Sequence, residues 1–416
     1  MVPRDGRGVL VTAVVDKSAT RRPREPGRIA RMASRVPALT GVRGIAALAV
    51  CLTHAAFWTG NYTDDYAGRM FSRLEIGVAI FFVLSGFLLF APWVRAAQRG
   101  GASSSPNENF STPSIGRYFW HRARRILPAY WITVIGVYLL YGFAPPGGEE
   151  SPTGTGWSGF LHNMTFSQVY GLGHLHSGLT QMWSLCAEVV YYLVLPLIGW
   201  TLVALIGRGR TRAWRPDLMI GALATLMLVS PIWIVIVAGS EGISPTARLW
   251  APAFFGWFVA GMALAACSPL IRRWNTTASV VVALALLLIA GTAIAGEPTI
   301  TPTTASATIV KHVLYLAIAV ALIGPLTVAN TTSWWHRLCG SRPVVFLGEI
   351  SYELFCVHVV VLEVVMAVLG YRVFSGNVVI AFVVTAAVSI ALAWVLHRVT
   401  EPLWRARTPD TVDSRR

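Results

Sequence analysis

Arg43 and His54 stand at the two ends of the otherwise apolar stretch "RGIAALAVCLTH". They are eleven positions apart, and at 100° and 1.5 Å per residue this places both side chains near one face of a helix, about 16 Å apart along its axis. An ionisable residue inside an apolar segment favours a functional interpretation. The structural alternative is an arginine that extends to the membrane surface and a histidine at a helix end.

The two side chains have complementary chemistry. A histidine titrates near neutral pH, so it can take a proton from a hydroxyl group that is otherwise a poor nucleophile. An arginine donates paired hydrogen bonds to phosphate or carboxylate groups. Gly44, Ala46 and Ala49 make the helix thin between them, which permits close helix packing or leaves room for a narrow ligand.

The segment that holds Arg43 and His54 is one of many long apolar segments. The 416 residues are 55% hydrophobic and 13% charged, with a mean hydropathy of +0.58, whereas a soluble domain carries about 25% charged residues. A helix of about 20 apolar residues crosses about 30 Å of hydrocarbon. The sequence therefore predicts an all-α polytopic membrane protein with about ten transmembrane helices, near residues 40–57, 76–94, 126–143, 181–206, 217–238, 249–267, 276–296, 308–329, 345–368 and 377–397.

The basic residues lie mainly on one side of these segments. A net charge of +15 on a soluble protein would suggest nucleic-acid binding, but no basic and aromatic binding platform accompanies it. Arginines concentrate at both chain ends and in alternate loops such as "GRGRTRAWR" and "HRLCGSRP". This positive-inside pattern predicts a multi-pass plasma-membrane protein with both termini in the cytoplasm, in contact with membrane lipids and not with nucleic acid.

Three regions are expected along the chain. Residues 1–37 are polar and Arg-rich and lack the apolar segment of a signal peptide, so we expect a disordered cytosolic tail, with Met32 as an alternative start. The membrane domain is expected over residues 38–405, and a second cytosolic tail over 406–416. A long external loop, 144–180, is rich in Gly, Pro, Ser and Thr, and we expect one interfacial turn near Trp157–Met164 within it.

No group of residues has the spacing of a metal site. The cysteines lie in or beside the apolar segments and form no CxxC pair, so we interpret them as apolar fillers and expect neither a disulfide framework nor structural zinc. His174 and His176 alternate in "GHLHS", but no cysteine or acidic residue stands near them. We therefore expect no metal and a solvated loop at these two histidines.

Five motifs follow one another along the apolar region. They are "ALTGVRGIAALAVCLTHAA", "IGVAIFFVLSGFLLF", "RYFWHRARRILPAYW", "QMWSLCAEVVYYLVLPL" and "LGEISYELFCVHVVVLE". Taken together and in this order, they resemble the acyltransferase-3 family of integral membrane O-acyltransferases, over residues 38–405. The chain departs from the family pattern at Ala79, where an acidic residue is frequent, at Gln181-Met182, where a histidine often stands, and at Glu349, where a basic residue is frequent.

The resemblance implies transfer of an acyl group, usually acetyl from acetyl-CoA, to a hydroxyl of a glycan, glycolipid or natural product. Acyl-CoA is then the co-substrate. The catalytic candidates are His54 as general base, Glu188 and His358. The candidates for binding the CoA phosphates are Arg43, Arg122 and Arg125. The candidates for substrate binding are Ser85, Trp183 and Tyr352.

Structural explanations compete with several of these roles. Glu188 has three alternatives: it orients His54, binds sugar hydroxyls, or pairs with an arginine. His358 is either a catalytic partner or a hydrogen-bonded core histidine. For Arg122 and Arg125 the alternative is ordinary positive-inside charge.

Other polar residues inside the apolar segments have structural explanations or none. We interpret Ser85 as a hydrogen-bonding or packing residue beside Gly86 rather than as a nucleophile. Glu353 and Glu363 are carboxylates within an apolar segment, and the sequence indicates no partner for either.

We therefore expect an enzyme that moves an acyl group from cytosolic acyl-CoA to a hydroxyl of a cell-envelope glycan or glycolipid. Two alternatives remain. A transporter or flippase of a lipid-linked sugar would share the architecture but would consume no acyl-CoA. An O-acyltransferase for a soluble secondary metabolite, such as a macrolide, would share the chemistry but not the acceptor.

Overall fold

The structure is a computed structural model that describes residues 37–102, 113–146, 153–207, 215–299, 304–328 and 333–405. The N-terminal tail expected over 1–37, apart from its last residue, lies outside the described residues. The C-terminal tail expected over 406–416 lies outside them as well.

About 80% of the described residues are helical, and no strand occurs in these ranges. Short 3₁₀ helices lie at Ser177–Met182, Pro245–Leu249 and Ala293–Ala295. The α-helices are α1 (Pro37–Trp58), α2 (Tyr66–Arg73), α3 (Ile76–Ala102), α4 (Ile115–Phe143), α5 (Trp157–Met164), α6 (Trp183–Gly207), α7 (Pro216–Met227), α8 (Val229–Gly239), α9 (Ala251–Cys267), α10 (Thr276–Ala290), α11 (Ala305–Thr327), α12 (Trp334–Cys339), α13 (Arg342–Glu349), α14 (Ser351–Val368) and α15 (Val378–Trp404).

Nine helical segments in the described ranges are long and apolar enough to cross a membrane, so the prediction of an all-α polytopic membrane protein is confirmed. They are Pro37–Trp58, Tyr66–Gln98, Ile115–Phe143, Ser177–Leu205, Pro216–Gly239, Pro245–Cys267, Ala305–Thr327, Ser351–Val368 and Val378–Trp404. The segment predicted over 276–296 forms α10, which has only 15 residues because the helix ends before Gly291. At 1.5 Å per residue α10 extends about 22 Å, which is shorter than a hydrocarbon core of about 30 Å.

Some helix bounds differ from the predicted ones. α4 begins at Ile115, well before the apolar segment expected from residue 126, and α15 continues to Trp404. The extra turns contain arginines, which favour helix although they are not apolar. In the loop predicted over 144–180, the turn expected near Trp157–Met164 forms α5.

Glycines bring the central helices into close contact. A Cβ atom on Gly86 of α3 would lie 1.9 Å from the carbonyl oxygen of Phe258 on α9, and one on Gly261 would lie 2.0 Å from that of Val83. No side chain fits at these distances, so the α3 and α9 backbones touch.

α1 is held on several sides, among α2, α3, α13, α14 and α15. A Cβ on Gly44 would lie 2.7 Å from the backbone nitrogen of Gly348 on α13, and one on Gly41 would lie 1.9 Å from the carbonyl oxygen of Cys339. The small residues beside Arg43 therefore serve close helix packing, one of the two uses expected for them. This packing fixes the rotation of α1, and hence the direction of Arg43 and His54.

Candidate functional site

His54 and His358 lie in contact where α1 meets α14. Nδ1 of His54 lies 3.3 Å from Nε2 of His358, and the ring centroids are 5.0 Å apart. Nδ1 of His54 also lies 2.7 Å from the carbonyl oxygen of Val50. Nδ1 of His358 lies 2.9 Å from the carbonyl oxygen of Phe355.

These contacts assign the tautomers of both rings. A carbonyl oxygen only accepts, so each Nδ1 carries a proton and each Nε2 carries a lone pair. The lone pair of His358 then faces the Nδ1–H of His54. Nε2 of His54 makes no hydrogen bond to the described chain, and the side chain is partly exposed. His54 therefore has the form of a base whose orientation is fixed by Val50 and His358.

Glu188 belongs to a different part of the site. Its Oε1 accepts hydrogen bonds from the Ser85 hydroxyl at 2.6 Å and the Tyr192 hydroxyl at 2.5 Å. The carboxylate interacts electrostatically with Arg43 and makes no hydrogen bond to His54. The hydrogen-bond partners of Glu188 are therefore Ser85 and Tyr192, and neither His54 nor an arginine forms a hydrogen bond with it among the described residues. Ser85 acts as the hydrogen-bonding residue that the sequence indicated.

Arg43 and Arg122 keep unused hydrogen-bond donors. Neither guanidinium forms a hydrogen bond or ion pair with the described residues, and both side chains are partly exposed. Arg43 lies over the ring of Phe81, 6.0 Å from its centroid. Both arginines interact electrostatically with Tyr192. The two cations therefore lie around the Glu188–Tyr192 pair with donors available to an anion.

Arg125 has protein partners for its charge. Its Nη1 lies 2.9 Å from Oε1 of Glu353, a residue with no exposed side-chain surface, and its guanidinium lies 4.3 Å from the Trp404 ring centroid. Nδ1 of His397 lies 3.1 Å from the same Oε1. These contacts also supply the partner that the sequence did not indicate for Glu353. The carboxylate of Glu363 likewise accepts a hydrogen bond from Tyr141.

Trp183 and Tyr352 are engaged in packing between helices. The Trp183 ring lies against Phe254, with centroids 4.7 Å apart. The Tyr352 hydroxyl donates to the carbonyl oxygen of Ile126 at 3.0 Å and so links α14 to α4. The Tyr352 hydroxyl is therefore directed at Ile126 and not at the His54–His358 pair.

Aromatic rings connect the arginine end with the histidine end. The Phe81 ring, beneath Arg43, lies 6.1 Å from the ring of Phe355, which lies 5.7 Å from that of His358. On α1 itself, Ala47 and Val50 between Arg43 and His54 are only 3% and 1% exposed. The direct path along that face is therefore filled by packing, and the Phe81–Phe355 pair is the boundary between the two ends.

Sequence reasoning missed Glu75, in the turn between α2 and α3. Its Oε1 lies 2.8 Å from Nζ of Lys311 and accepts from the Tyr315 hydroxyl at 3.2 Å. Glu75 also interacts electrostatically with His54. The sequence did contain a signal for this ion pair: Glu75 stands directly before one apolar segment, and Lys311 stands just inside another.

His174 and His176, the two histidines of the loop after α5, differ from each other. The expectation of a solvated loop is wrong for His176, which has no exposed surface and lies between the rings of Tyr138 and Tyr141. Its Nδ1 accepts from the backbone N–H of Gly178, and burial lowers its pKa to about 4. His174 instead stacks on His162, with ring centroids 3.8 Å apart. Within the described ranges no three His, Cys, Asp or Glu residues are grouped as a metal site.

Comparisons with known proteins place this chain in a family. The family model described as an acyltransferase domain matches residues 36–398. Peptidoglycan O-acetyltransferase OatA of Listeria monocytogenes is 27% identical over 217 residues, which are 49% of this chain and 29% of that protein. Acyltransferase MdmB of Streptomyces mycarofaciens is 30% identical over 171 residues, 39% of each chain.

A third relative is the putative peptidoglycan O-acetyltransferase YrhL of Bacillus subtilis, 28% identical over 172 residues, which are 39% of this chain and 23% of that protein. The matched part thus spans less than half the length of each of these relatives. No solved structure matches the chain significantly. Because the family model covers most of the chain, including all five sequence motifs, the protein belongs to the acyltransferase-3 family.

Proposed function

We propose that this protein is a plasma-membrane O-acyltransferase that transfers an acyl group, acetyl in the first instance, from cytosolic acyl-CoA to a hydroxyl of a cell-envelope glycan or glycolipid. The observation that carries the proposal is the free Nε2 of His54, whose ring is held by Val50 and His358. Membership of the acyltransferase-3 family supports the reaction class. Two relatives named as peptidoglycan O-acetyltransferases support a glycan acceptor.

The chemistry assigns one proton transfer to His54. As the acceptor hydroxyl approaches the thioester carbonyl, Nε2 of His54 takes the hydroxyl proton and the oxygen forms a bond to the carbonyl carbon. The carbon–sulfur bond then breaks, and the CoA thiolate takes the proton back from Nε2. While His54 is protonated, the carbonyl oxygen of Val50 and the lone pair of His358 both accept from its Nδ1–H and stabilise the positive charge.

The donor's phosphates fit the arginine end. Arg43 and Arg122 have uncommitted donors, and guanidinium groups bind phosphate through paired hydrogen bonds. The guanidinium groups of Arg43, Arg122 and Arg125 carry three positive charges, and the carboxylates of Glu188 and Glu353 carry two negative charges. The resulting net charge of +1 favours an anion there. With the termini cytoplasmic, as the positive-inside pattern predicts, this end of α1 faces acyl-CoA.

The reactive thioester must reach His54 from the arginine end. Pantetheine is a narrow chain, and Arg43 and His54 are about 16 Å apart along α1. Ala47 and Val50 fill the direct path along α1. We therefore infer that the pantetheine arm passes the Phe81 and Phe355 rings, and that these rings rotate as it enters. The acceptor then approaches His54 from the opposite end of the bundle, on the external side.

The experiment is acyl transfer by isolated membranes. Membranes that contain the protein are supplied with radiolabelled acetyl-CoA, and label is followed by mass spectrometry and scintillation into peptidoglycan, envelope glycolipids and soluble metabolites. We expect label in a glycan fraction with wild type and none with His54→Ala at equal protein in the membrane. Full transfer by His54→Ala would refute the mechanism.

The same experiment separates the alternatives. Label in a soluble metabolite alone would identify the acceptor as a secondary metabolite such as a macrolide. Movement of a lipid-linked sugar without consumption of acetyl-CoA would identify a transporter or flippase.

A further inference from the structure

Glu75 presents a free carboxylate oxygen at the His54 end of the bundle. Its Oε1 is held by Nζ of Lys311 and the hydroxyl of Tyr315, both on α11. Its Oε2 makes no hydrogen bond to the described chain, and the side chain is 43% exposed. One half of the carboxylate is therefore fixed in position, and the other half is open.

Groups on several elements lie near the carboxylate of Glu75. Arg73 on α2 and Tyr62 in the loop after α1 interact electrostatically with it. The imidazole of His54 on α1 is also within electrostatic range. The carboxylate therefore has neighbours on α1, α2 and α11 and in one loop, while 43% of its side-chain surface stays accessible. The proposed base is one of these neighbours.

The arrangement suits a molecule with several hydroxyl groups. A carboxylate oxygen only accepts hydrogen bonds, while the ammonium group of Lys311 only donates them. A hydroxyl can donate to Oε2 of Glu75 and keep its own lone pairs as acceptors. The thioester group itself offers no hydrogen-bond donor, and the hydroxyl and amide N–H groups of acyl-CoA lie along its pantetheine arm and on its ribose. A glycan presents several hydroxyls along its chain.

We propose that Glu75, held by Lys311 and Tyr315, binds the acceptor, with its Oε2 accepting a hydrogen bond from a hydroxyl other than the one that is acylated. The proposal rests on the proposed function, and it makes the acceptor a molecule with at least two hydroxyls. The donor is then bound at the arginine end and the acceptor at the Glu75 end, with His54 between them.

The test is steady-state kinetics of Glu75→Gln, with labelled acetyl-CoA and the glycan oligomer chitotetraose as acceptor. The glutamine side chain has the shape of glutamate and can still accept from Lys311. The hydroxyl of the bound acceptor, however, then meets a neutral amide rather than a charged carboxylate. We expect kcat/KM for chitotetraose to fall about tenfold to a hundredfold through KM, with KM for acetyl-CoA unchanged. Glu241→Gln, which neutralises an exposed carboxylate outside the site, should match wild type.

Two results would overturn the assignment. One is an unchanged KM for chitotetraose in Glu75→Gln. The other is a shifted pH profile without a change in either KM, which would make Glu75 an electrostatic partner of His54 rather than an acceptor-binding residue. If wild type itself transfers no acyl group to chitotetraose or to envelope glycans, the proposed function fails instead.

A second variant covers the case in which Glu75→Gln fails to accumulate. Tyr315→Phe retains the carboxylate and removes one of the two hydrogen bonds that fix its Oε1, in a side chain that is almost fully buried. We expect a rise of a few-fold in KM for chitotetraose, with KM for acetyl-CoA unchanged. An unchanged KM for chitotetraose would contradict the proposal.

Discussion

Nε2 of His358 lies 3.3 Å from Nδ1 of His54, although 304 residues separate them in the chain. The carbonyl oxygen of Phe355 fixes the His358 ring so that its lone pair faces the N–H of His54. In the proposed mechanism, the direction of this contact makes His358 a positioning residue for His54 rather than a second base. It also means that α1 and α14 must pack correctly before the proposed base is formed.

Substitution of His358 should therefore reduce kcat and leave both KM values unchanged. Leucine at this position removes the acceptor for the Nδ1–H of His54, and we expect a loss of about tenfold to a hundredfold. Glutamine has a side-chain oxygen that can accept the same hydrogen bond, so His358→Gln should retain more activity than His358→Leu. Equal loss in the two variants would indicate that His358 acts by filling space.

Arg43 should act on the donor alone. Arg43→Gln removes uncommitted phosphate donors, so we expect KM for acetyl-CoA to rise about tenfold or more, with KM for the acceptor unchanged. Arg43→Lys keeps the charge but not the paired donors, and should restore only part of the affinity. Kinetics with each substrate varied separately provide the measurement. A rise in acceptor KM alone would move the donor site away from this end.

Arg125 should behave differently from Arg43, because its charge is already paired. Arg125→Met leaves Glu353 buried beside His397 alone, and breaking a buried ion pair costs about 3 kcal/mol. We expect a lower Tm for the purified protein and a KM for acetyl-CoA close to wild type. Thermal unfolding followed by tryptophan fluorescence measures the first quantity. A raised KM without a loss of Tm would instead place Arg125 at the donor phosphates.

The sequence predicted the elements of the site better than their partners. Apolar length gave the membrane helices, and helical period placed Arg43 and His54 on α1, because both signals are local. Motif order selected His358 but not its contact with His54, since the two positions are 304 residues apart. The Glu188 carboxylate could equally have met His54 or an arginine. Only the packing of α3 against α6 places Ser85 on it, whereas Tyr192 lies one turn further along α6 itself.

The remaining differences have the same origin. Arg122 and Arg125 are three residues apart in one basic motif, yet only Arg125 meets a buried carboxylate, which lies on α14. Glu75 was missed because its partners Lys311 and Tyr315 lie on α11, far along the chain. A polar loop composition suggested that His176 was solvated, whereas Tyr138 and Tyr141 of α4 cover it. Long-range packing cannot be read from local residue patterns.

His176 should make the stability of the loop that contains it depend on pH. Burial lowers its pKa to about 4 in the folded protein, below its ordinary value of about 6.5. In the unfolded chain the imidazole takes up a proton as the pH falls below about 6.5, and the folded protein does not. The stabilisation is therefore complete above that pH and is lost progressively between about 6.5 and 4, by up to about 3 kcal/mol.

The matched variant is His176→Asn, whose side-chain oxygen can still accept from the N–H of Gly178 but does not titrate in this range. We expect Tm of the wild type to fall more steeply than that of His176→Asn between pH 7 and pH 5. Parallel decreases would show that other groups cause the acid sensitivity. Limited proteolysis within 153–182 locates the effect, because protonation of a ring enclosed by Tyr138 and Tyr141 must release this part of the loop from α4 before the membrane helices separate.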